Sequence, residues 1–361
     1  MISQSLPRWG FLALFGAPLL ALSPLAPCTT FCLFGEDGTY FGRNYDWHIG
    51  VGLVVVNKRG LVKTAQVPPP EAPATWTSKF GSVTFNQYGR EYPMGGLNEA
   101  GLVVEQMWLS ETRYPGSDDR AALGELAWIQ YQLDNCRSVE EVLATDSKLR
   151  VTETSVPLHF LIADRSGATA TIEFLAGEMV AHHGDSLAVP VLANSSYASS
   201  MDYLETLEDF GGSRPLPKSE DSLDRFARAA CGVLDYGAST PEESVAYAFD
   251  VLASVSQGEA TRWSIVYDID RLAIHFRTEA APAIKTLRLA DFDLSAATPC
   301  RILDIDTPEP GRASERFVDY TTEANQKLIF ASWKNTEFVK DTPDEVLRAK
   351  AAYPESIVPA K

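Results

Sequence analysis

Residues 28–47 read Cys28-Thr29-Thr30-Phe31-Cys32-Leu33-Phe34-Gly35-Glu36-Asp37-Gly38-Thr39-Tyr40-Phe41-Gly42-Arg43-Asn44-Tyr45-Asp46-Trp47. Both flanks of the Gly-Glu-Asp-Gly turn signal are β-prone, so the stretch predicts a hairpin whose first strand starts at Cys28. A tight hairpin returns the chain beside its own start, which brings Arg43 and Asp46 close to Cys28. A guanidinium next to sulfur favours thiolate and lowers its pKa, and a carboxylate next to an α-ammonium holds and orients it.

Upstream, residues 9–22 are almost continuously apolar after the cation Arg8, and Ser23-Pro24-Leu25-Ala26-Pro27 follows. About 14 residues interrupted by Gly10, Gly16 and Pro18 is short for a membrane span and suits the core of a secretory signal peptide. The expectation is therefore a signal peptide over 1–27, export to the periplasm or the medium, and a single domain over 28–361. Cleavage before Cys28 makes it N-terminal. Its α-amine, titrating near ~7.7–8.0, can then accept the thiol proton, so nucleophile and base share one residue. Pro27 is a poor residue at a cleavage point, which predicts a second trimming step or self-processing. Leu25-Ala26-Pro27-Cys28 also loosely fits a lipoprotein cleavage box. Lipidation would block amine and thiol together and leave a non-catalytic lipoprotein or binding protein.

The chain has 361 residues with 31 Lys+Arg against 48 Asp+Glu, a formal charge of −17. Such an acidic surface repels phosphate backbones and anionic headgroups, so nucleic acid is not an expected partner. No stretch is long and apolar enough for a membrane span. Composition is 45% hydrophobic and 22% charged, ordinary for a globular protein. Cys28 and Cys32, four apart on a strand, would lie about 13 Å from each other, too far to bridge. The spacing does not pair Cys32, Cys136, Cys231 and Cys300. His182 and His183, neighbours on a strand, face opposite ways and have no third ligand at metal spacing, so no metal or cofactor is expected.

Downstream, strands are predicted at 52–57, 82–87, 101–109, 158–163, 168–174, 189–194, 263–269 and 273–277, with the proline-rich 68–73 as a loop. Helices are predicted at 118–133, after Ser138, at 224–234, at 241–255 behind the Thr240 cap, and in the segment 317–351. Tight hairpins rather than βαβ alternation favour an α+β fold of antiparallel sheets with helices on their outer faces.

Cys28-Thr29-Thr30 and Tyr40–Trp47 resemble the opening of the choloylglycine hydrolase and penicillin V acylase family of N-terminal nucleophile hydrolases. The likeness continues in Trp76-Thr77-Ser78-Lys79-Phe80-Gly81-Ser82-Val83, Gly96-Leu97-Asn98-Glu99-Ala100-Gly101-Leu102, residues 135–143, Val191-Leu192-Ala193-Asn194 and Asp224-Arg225-Phe226, across roughly 28–295. The resemblance implies a four-layer αββα sandwich and hydrolysis of a small-molecule substrate at a non-peptide linear amide bond. By matched position it makes Cys28 the nucleophile, Arg43 and Asp46 its electrostatic partners, Asn194 the side-chain donor of the oxyanion hole, and Arg225 a further arginine at the site. The backbone N–H of Trp108 completes the oxyanion hole. Phenoxyacetyl amides such as penicillin V, N-acyl homoserine lactones and conjugated bile salts are the family's substrates, and a homo-oligomer, a tetramer, is its usual assembly. Residues 296–361 run past the recognisable region as a C-terminal extension whose role the sequence leaves open, a packing or oligomer arm being one reading.

Overall fold

The computed structural model describes residues 28–152 and 156–360, so the signal peptide expected over 1–27 lies outside the described residues. Strands β1 (Thr29–Gly35) and β2 (Gly38–Asp46) form the hairpin read from the sequence, with Thr30 opposite Arg43 and Phe31 opposite Gly42. Cys28 sits one residue before the ladder. Gly42 is required here by close approach: a Cβ on it would lie 2.3 Å from the Phe31 ring that crosses it.

The far edge of β2 pairs with Thr261–Asp268, whose Ile265 faces Arg43. A seven-stranded sheet results, in the order Val191–Leu192, β1, β2, Thr261–Asp268, Ala273–Thr278, Lys285–Arg288 and Gly311–Arg312. It is antiparallel except for its last, parallel pair. A second, nine-stranded antiparallel sheet runs Glu178–His183, Thr169–Leu175, Leu158–Ala163, Val103–Trp108, Pro93–Asn98, Ser82–Asn86, Leu53–Asn57, Arg301–Asp304 and Val318–Asp319.

Seven α-helices are described: α1 (Glu125–Asn135), α2 (Val139–Ala144), α3 (Tyr197–Leu204), α4 (Ser222–Leu234), α5 (Pro241–Ser254), α6 (Thr322–Trp333) and α7 (Asp344–Ala352). Helices α4 and α5 pack on the seven-stranded sheet, and α1 on the nine-stranded one. One apolar core includes Phe31, Phe41, Phe85, Leu161 and Ile265 from both sheets, and a second lies under α1 with Trp128, Ile129, Phe160 and Ile172. The fold is thus the αββα sandwich.

Three expectations need correction. The helix predicted from 118 starts only at Glu125, because Ala121–Gly124 is a strand parallel to Leu149–Thr152, with Ala122 and Leu123 fully buried. Asp118 accordingly pairs with Arg120 instead of opening a helix. The strand predicted at 189–194 shrinks to Val191–Leu192, so Asn194 stands beyond the ladder with its amide free for other work. The C-terminal segment holds two helices, α6 and α7, separated by residues 334–343. Among the described residues no helix is long and apolar enough to cross a membrane, and the five cysteines are unpaired.

Gly42→Ala is expected to destabilise the fold by about 1–3 kcal/mol through overpacking against Phe31. A denaturant midpoint that falls at unchanged m would show it, and an unshifted midpoint would mean the hairpin relaxes freely.

Candidate active site

Cys28 lies at the mouth of β1, 4% exposed, and lines a cavity of about 920 Å³ of empty space, counting its open end. Tyr45, Trp47, Tyr88, Met94, Trp108, Leu126 and Leu158 share that lining, which makes the cavity mostly apolar. The hairpin register does what the sequence predicts. Arg43 Nη2 sits 3.9 Å from Cys28 Sγ, and the thiol points at the Asp46 backbone carbonyl, also 3.9 Å away.

The Arg43 guanidinium is completely buried. Such a cation needs partners for its donors. They come from the other sheet: Glu105 Oε2 at 2.5 Å, the Gln106 carbonyl at 3.0 Å and the Met94 carbonyl at 3.3 Å. Tyr267 Oη donates to the other oxygen of Glu105. Burial lifts the Glu105 carboxyl to about 7 against the pull of Arg43, while Glu105 and Cys28 together hold the Arg43 pKa up despite its own burial.

Asp46 is also without exposed surface. Its Oδ2 accepts from Gln257 Nε2 at 2.8 Å, whereas Oδ1 has no hydrogen-bond partner. Burial raises this carboxyl to about 6, opposed by hydrogen bonds from Thr261 and Gln257 and by the charges of Arg225 and Arg43.

Arg225 sits in the first turn of α4, after the Asp221 cap, which accepts from Leu223 N at 2.9 Å. It reaches across the site. Its Nη1 donates to the Cys28 carbonyl at 2.7 Å and to Thr29 Oγ1 at 2.5 Å, and its Nη2 to Asn194 Oδ1 at 3.0 Å. Because Arg225 holds the Asn194 carbonyl oxygen, the Asn194 NH₂ must face the other way, where Nδ2 donates to the Trp108 carbonyl at 2.8 Å. That NH₂ carries a second proton. The backbone N–H of Trp108 points to the same side by strand alternation. Leu109 N bonds outward to Pro157, and the neighbouring strand's pairings stop at Gly95 opposite Glu105, before position 108.

All six residues singled out in the sequence, Cys28, Arg43, Asp46, Trp108, Asn194 and Arg225, therefore converge on one place. One expectation about them reverses. Arg43 does pull the Cys28 pKa down, but burial and the nearby Asp46 charge outweigh it, so the thiol titrates above its ordinary value. At neutral pH the sulfur is protonated, and a base must take that proton before attack.

The sequence reading missed the groups behind the site. Glu105 is the lone charge in a mostly apolar, fully strand-forming run, which was its signal. His159 and Glu173 gave the same signal in the strands Leu158–Ala163 and Thr169–Leu175. They lie 3.1 Å apart with no exposed surface. His159 Nε2 meets the Ala193 carbonyl at 2.8 Å and Glu173 Oε1 accepts from Tyr197 N at 3.0 Å, so the pair clamps both sides of Asn194. Gln257, following α5, gave no signal.

Comparison with known proteins agrees with this geometry. Residues 28–311 match the family described as linear amide C–N hydrolases, choloylglycine hydrolase family. The chain is 30% identical over 250 residues to a penicillin V acylase from Pectobacterium atrosepticum, spanning 58% of this chain and 66%, just under two thirds, of that relative. The structure of penicillin V acylase from Agrobacterium tumefaciens superposes with a TM-score of 0.73 at 30% identity, covering 81% of this chain and 98% of that one. A mutant conjugated bile acid hydrolase from Clostridium perfringens shares the fold, with a TM-score of 0.62 at 16% identity over 79% of this chain and 98% of its own.

The raised Asp46 pKa gives a stability signature for the chain with residue 27 still attached. The folded state keeps this proton up to about pH 6, whereas an unfolded Asp releases it near ~3.9. Folding is therefore progressively penalised as pH rises from about 4 to 6, by up to about 3 kcal/mol. Asp46→Asn should gain stability relative to the parent across that window in denaturant titrations, and a pH-independent difference would show that no such proton is held.

Proposed function

The chain belongs to the choloylglycine hydrolase family of linear amide C–N hydrolases, and from that premise we propose that it is an exported amidase with Cys28 as its N-terminal nucleophile. Removal of residues 1–27 frees the Cys28 amine, and residues 28–361 act as one hydrolase unit. Asp46, whose Oδ1 is buried without a hydrogen-bond partner, offers an acceptor for the ammonium that this amine becomes on taking the thiol proton. This ion pair would pull the Asp46 pKa back down.

Chemistry then follows from the positions. The α-amine takes the proton from Sγ, and the sulfur adds to the amide carbonyl of the substrate. Negative charge moves to the carbonyl oxygen, where the Asn194 Nδ2 proton and the Trp108 N–H stabilise it. Arg43 faces the developing thiolate. Collapse breaks the C–N bond as the α-ammonium protonates the leaving amine, and an S-acyl enzyme remains. Water, deprotonated by the same amine, attacks the thioester, and the carboxylic acid leaves with Sγ regaining its proton.

The observation that carries this reading is that Cys28, with the Arg43 guanidinium 3.9 Å from its Sγ, lines an apolar cavity together with Trp108, whose backbone carbonyl takes the Asn194 amide. An apolar acyl group fits such a lining, and the aromatic rings of Trp47, Tyr88 and Trp108 favour phenoxyacetyl amides such as penicillin V over the bulkier steroid amides of bile salts. N-acyl homoserine lactones offer the same linear amide on an apolar chain.

Two measurements test the proposal. Intact mass of the exported protein should match a chain starting at unmodified Cys28. A diacylglycerol adduct would instead establish the lipoprotein reading. In steady-state hydrolysis of a phenoxyacetyl amide, Cys28→Ala should lose about three orders of magnitude or more, and Asn194→Ala about 10²–10³ in kcat with little change in KM. Equal rates for wild type and Cys28→Ala would end the nucleophile assignment.

A further inference from the structure

Residues 312–361 lie beyond the span that matches the family, yet Trp333, Phe338, Val339 and Lys350 line the same cavity as Cys28. The C-terminal arm is therefore part of the site, and the way it is attached bears on what it does there.

It is held by buried polar contacts to the segment that carries Tyr88. Ser332 Oγ donates to the Gln87 carbonyl at 2.5 Å, and the Arg90 amide donates to Asn325 Oδ1 at 2.8 Å. Ile329 fits against Gly89, where a Cβ would come within 2.8 Å of it. Nearer the substrate side, Trp47 Nε1 donates to Tyr88 Oη at 2.8 Å, and that hydroxyl bonds Thr336 Oγ1 at 2.9 Å. His48 Nε2 meets the Asn335 carbonyl at 2.9 Å. The start of the turn that presents Phe338 is thus tied to His48, just past β2, the strand that supplies Arg43 and Asp46, and through Tyr88 to Trp47.

Phe338 is 49% exposed, and what sets it apart is the company its ring keeps. Its ring stands 6.4 Å from Trp47 at 73° and 6.0 Å from Trp108 at 60°, while the two indoles lie 6.3 Å apart at 29°. Three rings from three parts of the chain make one contiguous aromatic surface in the wall of the cavity.

We propose that the C-terminal arm is the acyl-selecting wall of this active site: Phe338, with Trp47 and Trp108, forms a three-ring surface that prefers a flat aromatic acyl group to a flexible alkyl chain. The proposal rests on the amidase reading above and names which part of the chain sets its substrate class. A planar ring gains offset or edge contacts with such a surface that a methylene chain cannot make. The arm is a docked wall: Asn325, Ser332 and Thr336 hold it through buried hydrogen bonds, and Asn335 through an exposed one.

The test uses the exported full-length protein with the phenoxyacetyl and hexanoyl amides of p-nitroaniline, which share a leaving group. Phe338→Ala should lower the ratio of kcat/KM for phenoxyacetyl over hexanoyl by roughly 3- to 10-fold, mainly through KM, the worth of one aromatic contact. Phe338→Tyr should keep the ratio, and Phe338→Leu, apolar but without a ring, should lose it. The half-exposed position keeps these variants foldable. A second readout needs no turnover: calorimetric binding of phenoxyacetate to Cys28→Ala should weaken by a similar factor when Phe338→Ala is added. Unchanged ratio and unchanged phenoxyacetate binding would overturn the wall while leaving the amidase intact. Phenoxyacetate binding that weakens on adding Phe338→Ala, with a wild type that hydrolyses neither amide, would uphold the wall and overturn the amidase.

Discussion

A guanidinium with no exposed surface joins the two sheets of this sandwich. Arg43 hangs from β2 in the seven-stranded sheet, and its donors end on Glu105, Gln106 and Met94 of the nine-stranded sheet. Leaving such a cation unpartnered in the interior would cost several kcal/mol, so the sheets are constrained to the one offset at which all three acceptors are in place. That offset also fixes where Cys28 meets the end of the Val103–Trp108 strand. The same contact that registers the layers brings Cys28 and Trp108 into the lining of one cavity. Gly95 belongs to this constraint: a Cβ there would collide with the Glu105 carboxylate.

Burial has a second consequence. A thiol enclosed with Arg43 on one side and Asp46 on the other is not a preformed thiolate, since desolvation outweighs the cation. A nucleophile kept neutral at rest resists adventitious oxidation and needs a base only when substrate is present. Among the described residues the hydrogen-bond partners of Sγ are an arginine that cannot take a proton and a main-chain carbonyl. In the proposed reaction the α-amine of Cys28 is the base, and a free α-amine titrates in the right range. On that proposal Asp46 would be paired by an ammonium that exists only once residue 27 is removed, which would link exposure of the nucleophile to completion of its electrostatic partner.

The hairpin and its returning charges were legible because their signal is local, a turn flanked by β-prone runs, whereas Trp108, Asn194 and Arg225 were picked out by the family likeness of motifs in fixed order. What could not be read depends on distance. Asn194 is oriented by Arg225 from a helix 31 residues away, and the clamp behind it joins His159 to Glu173 across neighbouring strands. A lone charge in an apolar strand announces that such a partner exists and not where it is. The mistaken helix start at 118 has the same cause. Ala122 and Leu123 fit a helical face as well as a strand, and only pairing with Leu149–Thr152 decides between them. The expected thiolate failed because a charge beside sulfur is visible in sequence, whereas the depth of its burial is not.

Reaction and recognition draw on different parts of the chain, for a physical reason. Groups that handle a proton and an oxyanion must stay fixed to fractions of an ångström, and they come from strand ends and a helix start tied into two sheets. Van der Waals recognition of an acyl group tolerates looser placement. It can be delegated to a C-terminal arm that joins the sheets only at their edges, through Gly311–Arg312 and Val318–Asp319, provided the arm is docked firmly. The tethers from Thr336, Asn335 and Ser332 supply that docking and converge on Tyr88, Gln87 and His48, next to the catalytic hairpin. On this arrangement the arm can change its rings without disturbing Arg43. The reverse does not hold, because any shift of β2 moves Trp47 and with it the surface on which Phe338 closes.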